Sequence, residues 1–176
     1  MDKLLEYFIN EPEREFHIRE LAKLTGLSPT TISKYLVEFE KEGILVSKRK
    51  LNHLLFKANT ESQAFRNKKL FYNIQKLEES GLIDFIDGEF NHPESIVLFG
   101  SFRKAENIPV SDIDILIITP VKKEPNLEKF EKKLGHKIQL FMHSKAEIEK
   151  LKLKNKELVN NWLNGIVLRG YWEILL

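Results

Sequence analysis

Asp112 and Asp114 are the residues whose type and spacing can most directly do chemistry. They stand in Ser111-Asp-Ile-Asp114, which follows Val97-Leu-Phe-Gly-Ser101 after nine intervening residues and opens into the apolar run Ile113 to Ile118. The pattern reads as a strand, a glycine-serine turn and a second strand. Residues two apart on a strand face the same way, so the two carboxylates project together while Ile113 and Ile115 enter the core. Hard oxygen ligands aimed at one point suit Mg2+, which usually takes one or two carboxylates together with phosphate oxygens, such as those of a nucleoside triphosphate. Gly100 lets the backbone approach a ligand, and Ser101 offers a hydroxyl and an N–H where a helix would start. Arg103 and Lys104 add positive charge beside that turn. The plain alternative is a solvated turn at a strand end, because an isolated Asp-x-Asp is a weak motif.

With its spacing, the set Gly100-Ser101 and Ser111-Asp112-Ile113-Asp114 resembles the signature of the DNA polymerase beta-type nucleotidyltransferase superfamily, in particular its minimal domains. The resemblance spans about residues 91–176. It implies that the Gly100-Ser101 turn grips a triphosphate, with Arg103, Lys104 and Ser111 alongside. It also implies that Asp112 and Asp114 are metal-binding, catalytic carboxylates and that a third carboxylate lies on a later strand. Two positions depart from the family pattern. Ala105 stands where a second glycine is usual, and Gln139, in Lys137-Ile-Gln-Leu-Phe-Met-His143, falls at the third carboxylate's place. An amide neither takes a proton at neutral pH nor lends negative charge to a metal, and two-metal phosphoryl transfer relies on anionic ligands. His143 lies on the same strand face as Gln139 and is the one candidate for a substitute base.

The elements around this motif set the frame. The chain has 176 residues, of which 42% are hydrophobic and 31% charged, a formal net charge of +2 and no cysteine. Disulfides, thiolate zinc sites and thiol catalysis are thereby excluded. No apolar stretch approaches the roughly 18 residues of a membrane span, and the first residues lack the shape of a signal peptide, so a cytoplasmic protein without membrane contact is expected. The expected fold class is α+β, with a winged helix over residues 1–59, a connecting helical segment over 60–90 and a small mixed-sheet domain over 91–176.

In the first third, Phe16 to Gly26 and Ser28 to Gly43 make two short amphipathic helical patterns. Ser28 suits an N-cap and Pro29 the first helical position. Ile32, Leu36 and Phe39 form the buried stripe, which leaves Thr30, Thr31, Ser33 and Lys34 on or near the open face. Two strands follow, Ile44 to Lys50 and His53 to Lys57, joined at Leu51-Asn52. Between Ile44 and Ala58 lie Lys48, Arg49, Lys50 and Lys57 and no acidic residue. The segment from Arg14 to Lys57 resembles winged helix-turn-helix regulators. That implies double-stranded DNA as partner, with Ser28, Thr30, Thr31, Ser33, Lys34, Lys48, Arg49 and Lys50 as contacts; local positive clusters release counterions from phosphates even when total charge is small. A protein-contact or dimerisation module is the alternative.

Thr60 to Ser80 reads as a long helix with Leu70, Ile74 and Leu77 on one stripe beside Phe71, and a homodimer matching two DNA half-sites is expected. The stretch from Phe102 to Val110 reads as a polar loop in which Glu106 and Asn107 are solvated. Ile148, Leu151, Leu158 and Trp162 trace one or two closing helices that cover the sheet. His17, His53, His92 and His136 lack metal-ligand spacing. Two functions remain open: an enzyme that transfers a nucleoside monophosphate from a magnesium-bound triphosphate, or a transcriptional regulator whose nucleotidyltransferase-like part senses a nucleotide or mediates dimerisation.

Overall fold

Leu4, Leu5, Phe8 and Ile9 recur at helical spacing and are all buried, and they make the inner face of α1 (Asp2–Asn10), a helix beyond the two-helix pattern expected from the sequence. The computed structural model describes residues 2–51 and 53–173 and divides into two compact units, Met1–Lys69 and Leu70–Leu176. In the first unit Phe16 and His17 form β1 (Phe16–His17) rather than a helix start, because they pair with Phe56 and Leu55. α2 (Ile18–Thr25) therefore begins two residues later than the apolar pattern and stops at Gly26, whose φ of 73° few other residues adopt. α3 (Pro29–Lys41) has the expected start: Ser28 Oγ accepts from Thr31 N at 3.1 Å, and Pro29 has no N–H to leave unpaired. β2 (Leu45–Lys50) and β3 (His53–Ala58) form the hairpin, in a sheet ordered β1-β3-β2. Asn52, assigned to the hairpin's turn, lies outside the described residues.

The division between units falls within α4 (Gln63–Ser80). Its buried positions are Phe65, Lys69, Asn73, Leu77 and Ser80, spaced by four or three residues as one helical face. Phe71, expected beside the apolar stripe, is instead 69% exposed, because the stripe includes polar side chains and runs to the other side of it.

The second unit continues with α5 (Leu82–Glu89), β4 (Ser95–Phe99), α6 (Gly100–Lys104), β5 (Ile113–Ile118), α7 (Glu128–Leu134), β6 (Ile138–His143), α8 (Lys145–Lys154), α9 (Lys156–Leu163) and β7 (Ile166–Gly170). The strands form one mixed sheet ordered β6-β5-β4-β7, parallel between β5 and β6 and antiparallel elsewhere. Strand period sorts its side chains. Ile96, Leu98, Ile113, Ile115 and Ile117 join Leu82, Ile83, Ile86 and Phe130 in one core; Val97, Phe99, Leu116 and Ile118 join Ile148, Val159 and Trp162 in the other. Trp162, on α9, is thus core cover, and β7 is an edge strand beyond the sequence pattern. The expected polar loop is shorter than read, since Phe102 to Lys104 belong to α6 and Phe102 is buried. Among the described residues no helix is long and apolar enough to cross a membrane.

Candidate functional site

The two carboxylates lie where β4, β5 and β6 come side by side. Asp114 is the second residue of β5, opposite Phe99 on β4 and level with Gln139 on β6; Asp112 immediately precedes the strand. Ile113 and Ile115 turn into the first core, so both aspartates belong to the opposite face, half-buried at the end of the second. Burial, and then the negative charge of Asp112, push the Asp114 carboxyl above the ordinary carboxylate range. Gly100 leaves β4 with φ 69°, and a Cβ there would collide with Asp114 Oδ2. The turn therefore needs glycine twice over, for its backbone angle and for the space the carboxylate fills.

Gln139 donates from Nε2 to Asp112 Oδ2 at 2.5 Å, so the amide holds a carboxylate oxygen instead of supplying one. Among the described residues no group of three or more acidic or histidine side chains converges as a metal centre. Two crowded, half-buried carboxylates still fit one hard cation: it would offset the burial and the repulsion that raise Asp114, and water and phosphate oxygens would complete its shell. His143 does not extend the set. It stands four residues along β6 from Gln139, about 13 Å at ~3.3 Å per residue. Its ring lies 4.9 Å from that of Trp162, where burial lowers its tendency to charge.

The remaining predicted ligands gather on the turn. Gly100, Ser101, Arg103 and Lys104 all lie in α6, with Lys104 exposed. Arg103 Nε is buried and has no hydrogen-bond partner among the described residues. Ser111 faces its own loop: its Oγ accepts from Ile108 N at 2.9 Å, and its carbonyl is 2.8 Å from His136 Nδ1. Ala105 takes φ 58°, the left-handed conformation for which the family pattern supplies a glycine. Glu106 is exposed as expected, but Asn107 is buried, because Asn73 of α4 donates to its Oδ1 at 2.9 Å and to Phe102 O at 2.9 Å. Asn73 was absent from the sequence reading, and His136 was given no role there. A polar residue on the buried stripe of α4 was the available signal for Asn73; His136 carried none.

On the first unit, Thr30 and Lys34 are exposed on α3, and Ser33 is half-buried. Ser28 and Thr31 bond to each other at 2.8 Å, so both hydroxyls already serve the cap. The hairpin is less positive than its own sequence suggests. Lys48 pairs with Glu15, and Lys57 with Glu13 at 2.5 Å, because β1 docks on β3 and brings along the acidic residues that precede it. The Lys48 hydrogen bond is the main reason the Glu15 carboxyl sits below its ordinary range, with Lys50 and Lys57 adding to it. Arg49 is exposed and has no ion pair among the described residues.

A family model for the nucleotidyltransferase domain matches residues 79–168, the span that holds the carboxylates, the turn and the whole mixed sheet up to β7. A model for the IclR helix-turn-helix domain matches residues 3–49, which takes in α1 as well as α2 and α3. No curated protein and no solved structure matches the chain.

Proposed function

Because the chain belongs to the nucleotidyltransferase domain family and joins to it a helix-turn-helix DNA-binding domain, we propose that it sits on double-stranded DNA and transfers a nucleoside monophosphate from a magnesium-bound triphosphate to an acceptor. The observation that carries the nucleotide half is the Asp112–Asp114 pair packed against Gly100. It is a crowded anionic site with a side-chain-free backbone wall beside it. Asp112 and Asp114 would hold the cation, whose contribution is to neutralise charge on the phosphates. Ser101 offers a hydroxyl near the start of α6, and Arg103 and Lys104 put positive charge on the same short helix for an anion. Thr30, Ser33, Lys34, Arg49 and Lys50 are the proposed DNA contacts. Two half-sites would match a homodimer, which sedimentation of the pure protein tests, and a cytoplasmic location follows from this reading.

A second reading draws on Gln139. With an amide bonded to Asp112 where the family's third carboxylate belongs, the domain would bind a nucleotide without efficient transfer and act as the sensor of a transcriptional regulator. Incubation with Mg2+ and each labelled triphosphate separates the two. Label passed to protein, nucleic acid or a small molecule supports transfer; saturable binding without transfer supports the sensor. Unaltered ATP uptake in Asp112→Asn and Asp114→Asn would remove the site from both readings.

A further inference from the structure

We propose that Asn73 and Asn107 form a latch that fixes the Gly100-Ser101 turn and thereby sets affinity for the phosphates of the nucleotide; this rests on the nucleotide reading of the site. α6 has five residues and cannot order itself, since so short a helix leaves most of its terminal groups unpaired. From within, its last turn is closed by Glu106 N on Ser101 O at 2.9 Å, whereas the Phe102 carbonyl receives Ala105 N only at 3.3 Å. The firmer bond to that carbonyl is from Asn73 Nδ2 at 2.9 Å, and the same amide nitrogen donates to Asn107 Oδ1 at 2.9 Å. A carbonyl acceptor at Phe102 settles which way the Asn73 amide faces, because only its NH2 end can donate.

Asn73 is 3% and Asn107 8% exposed, so water cannot replace these bonds when one partner is lost. Between the two latched points lies Ala105 with φ 58°, a left-handed conformation that is unfavourable for a residue with a Cβ. The far end of the same loop is tied by Ser111 Oγ to Ile108 N and by His136 to Ser111 O. Both ends of the segment after the turn are therefore fastened from outside it. Asn73 and Asn107 are positioning residues: they act through the turn that carries Ser101 and Arg103.

The test uses the full chain with Asn73→Leu, Asn107→Leu and the double variant, and adds Asn73→Asp, which keeps the side chain's shape but removes the donated hydrogens. Amide exchange across residues 100–111 should accelerate about tenfold in each single variant and no further in the double variant, as for one shared interaction. Calorimetry with magnesium tripolyphosphate and with magnesium ATP should show equal losses of about tenfold, because the turn holds phosphates and a general loosening would cost ATP more. Unchanged exchange in Asn73→Asp, or wild-type affinity in variants whose loop has loosened, overturns the latch. If the unaltered protein takes up neither compound, the nucleotide reading itself fails and the affinity role falls with it.

Discussion

Gly100 and Asp114 occupy each other's space, and that contact gives the sharpest residue-level prediction. Gly100→Ala must hold a Cβ at φ 69°, for which the left-handed penalty is about 1–2 kcal/mol, and must also push the Asp114 carboxylate aside. A lowered thermal midpoint together with loss of magnesium ATP uptake is the expected result, and differential scanning calorimetry with titration reads both. Gln139→Glu replaces the amide that bonds Asp112 with a third carboxylate. It should lower stability without divalent cation through like-charge repulsion, and magnesium should then raise the melting temperature more than in the unaltered protein. If only the anionic group is missing, label transfer should also rise. The aspartates were legible in the sequence because strand period alone places i and i+2 together. The bond from Gln139 to Asp112 was not, since it depends on a parallel register between segments 27 residues apart. Asn107 misled for the same reason: its partner Asn73 lies 34 positions away in the chain.

The start of α3 was readable at Ser28, because a cap is written in neighbouring residues. Ser144 caps α8 in the same manner, its N donating to the Glu147 carboxylate at 2.7 Å, although the sequence reading did not single it out. Bonding to Lys122, then to the Ser144 backbone and side chain, draws the Glu147 carboxyl from 4.5 down to about 2. A depressed folded value means its contribution is present above pH 4.5 and is lost as pH falls toward 2. Glu147→Gln should therefore unfold more easily than the unaltered protein at pH 7 and equally easily near the bottom of that window, as acid titrations of each would show. The hairpin carries a second prediction. Glu15→Gln releases Lys48, so DNA affinity should increase and the slope of log K against log salt should steepen by about 0.9 for one added phosphate contact. Reading the hairpin alone overstated its charge, because Glu13 and Glu15 arrive through strand pairing rather than proximity in sequence. β7 escaped for a different reason: Ile166, Val167 and Leu168 in succession, followed by Arg169 and Gly170, lack the alternation that marks a half-buried strand.

Over the whole molecule, the two halves were visible as a change from helical periodicity to buried apolar runs, whereas the division inside the continuous helix α4 was not, because its periodicity passes unbroken through Lys69 and Leu70. Ligand footprints by hydrogen exchange should respect that division. A DNA duplex should protect amides within residues 2–69 and magnesium ATP amides within 70–173, and protection by ATP confined to the first unit would contradict the assignment of roles. β5 adds a thermodynamic corollary. It is hydrogen-bonded on both edges and covered on both faces, so the strand that presents Asp114 surrendered its freedom when the chain folded. An ion arriving there meets a rigid receptor, and the entropy lost on association should come from the incoming polyphosphate rather than from the polypeptide.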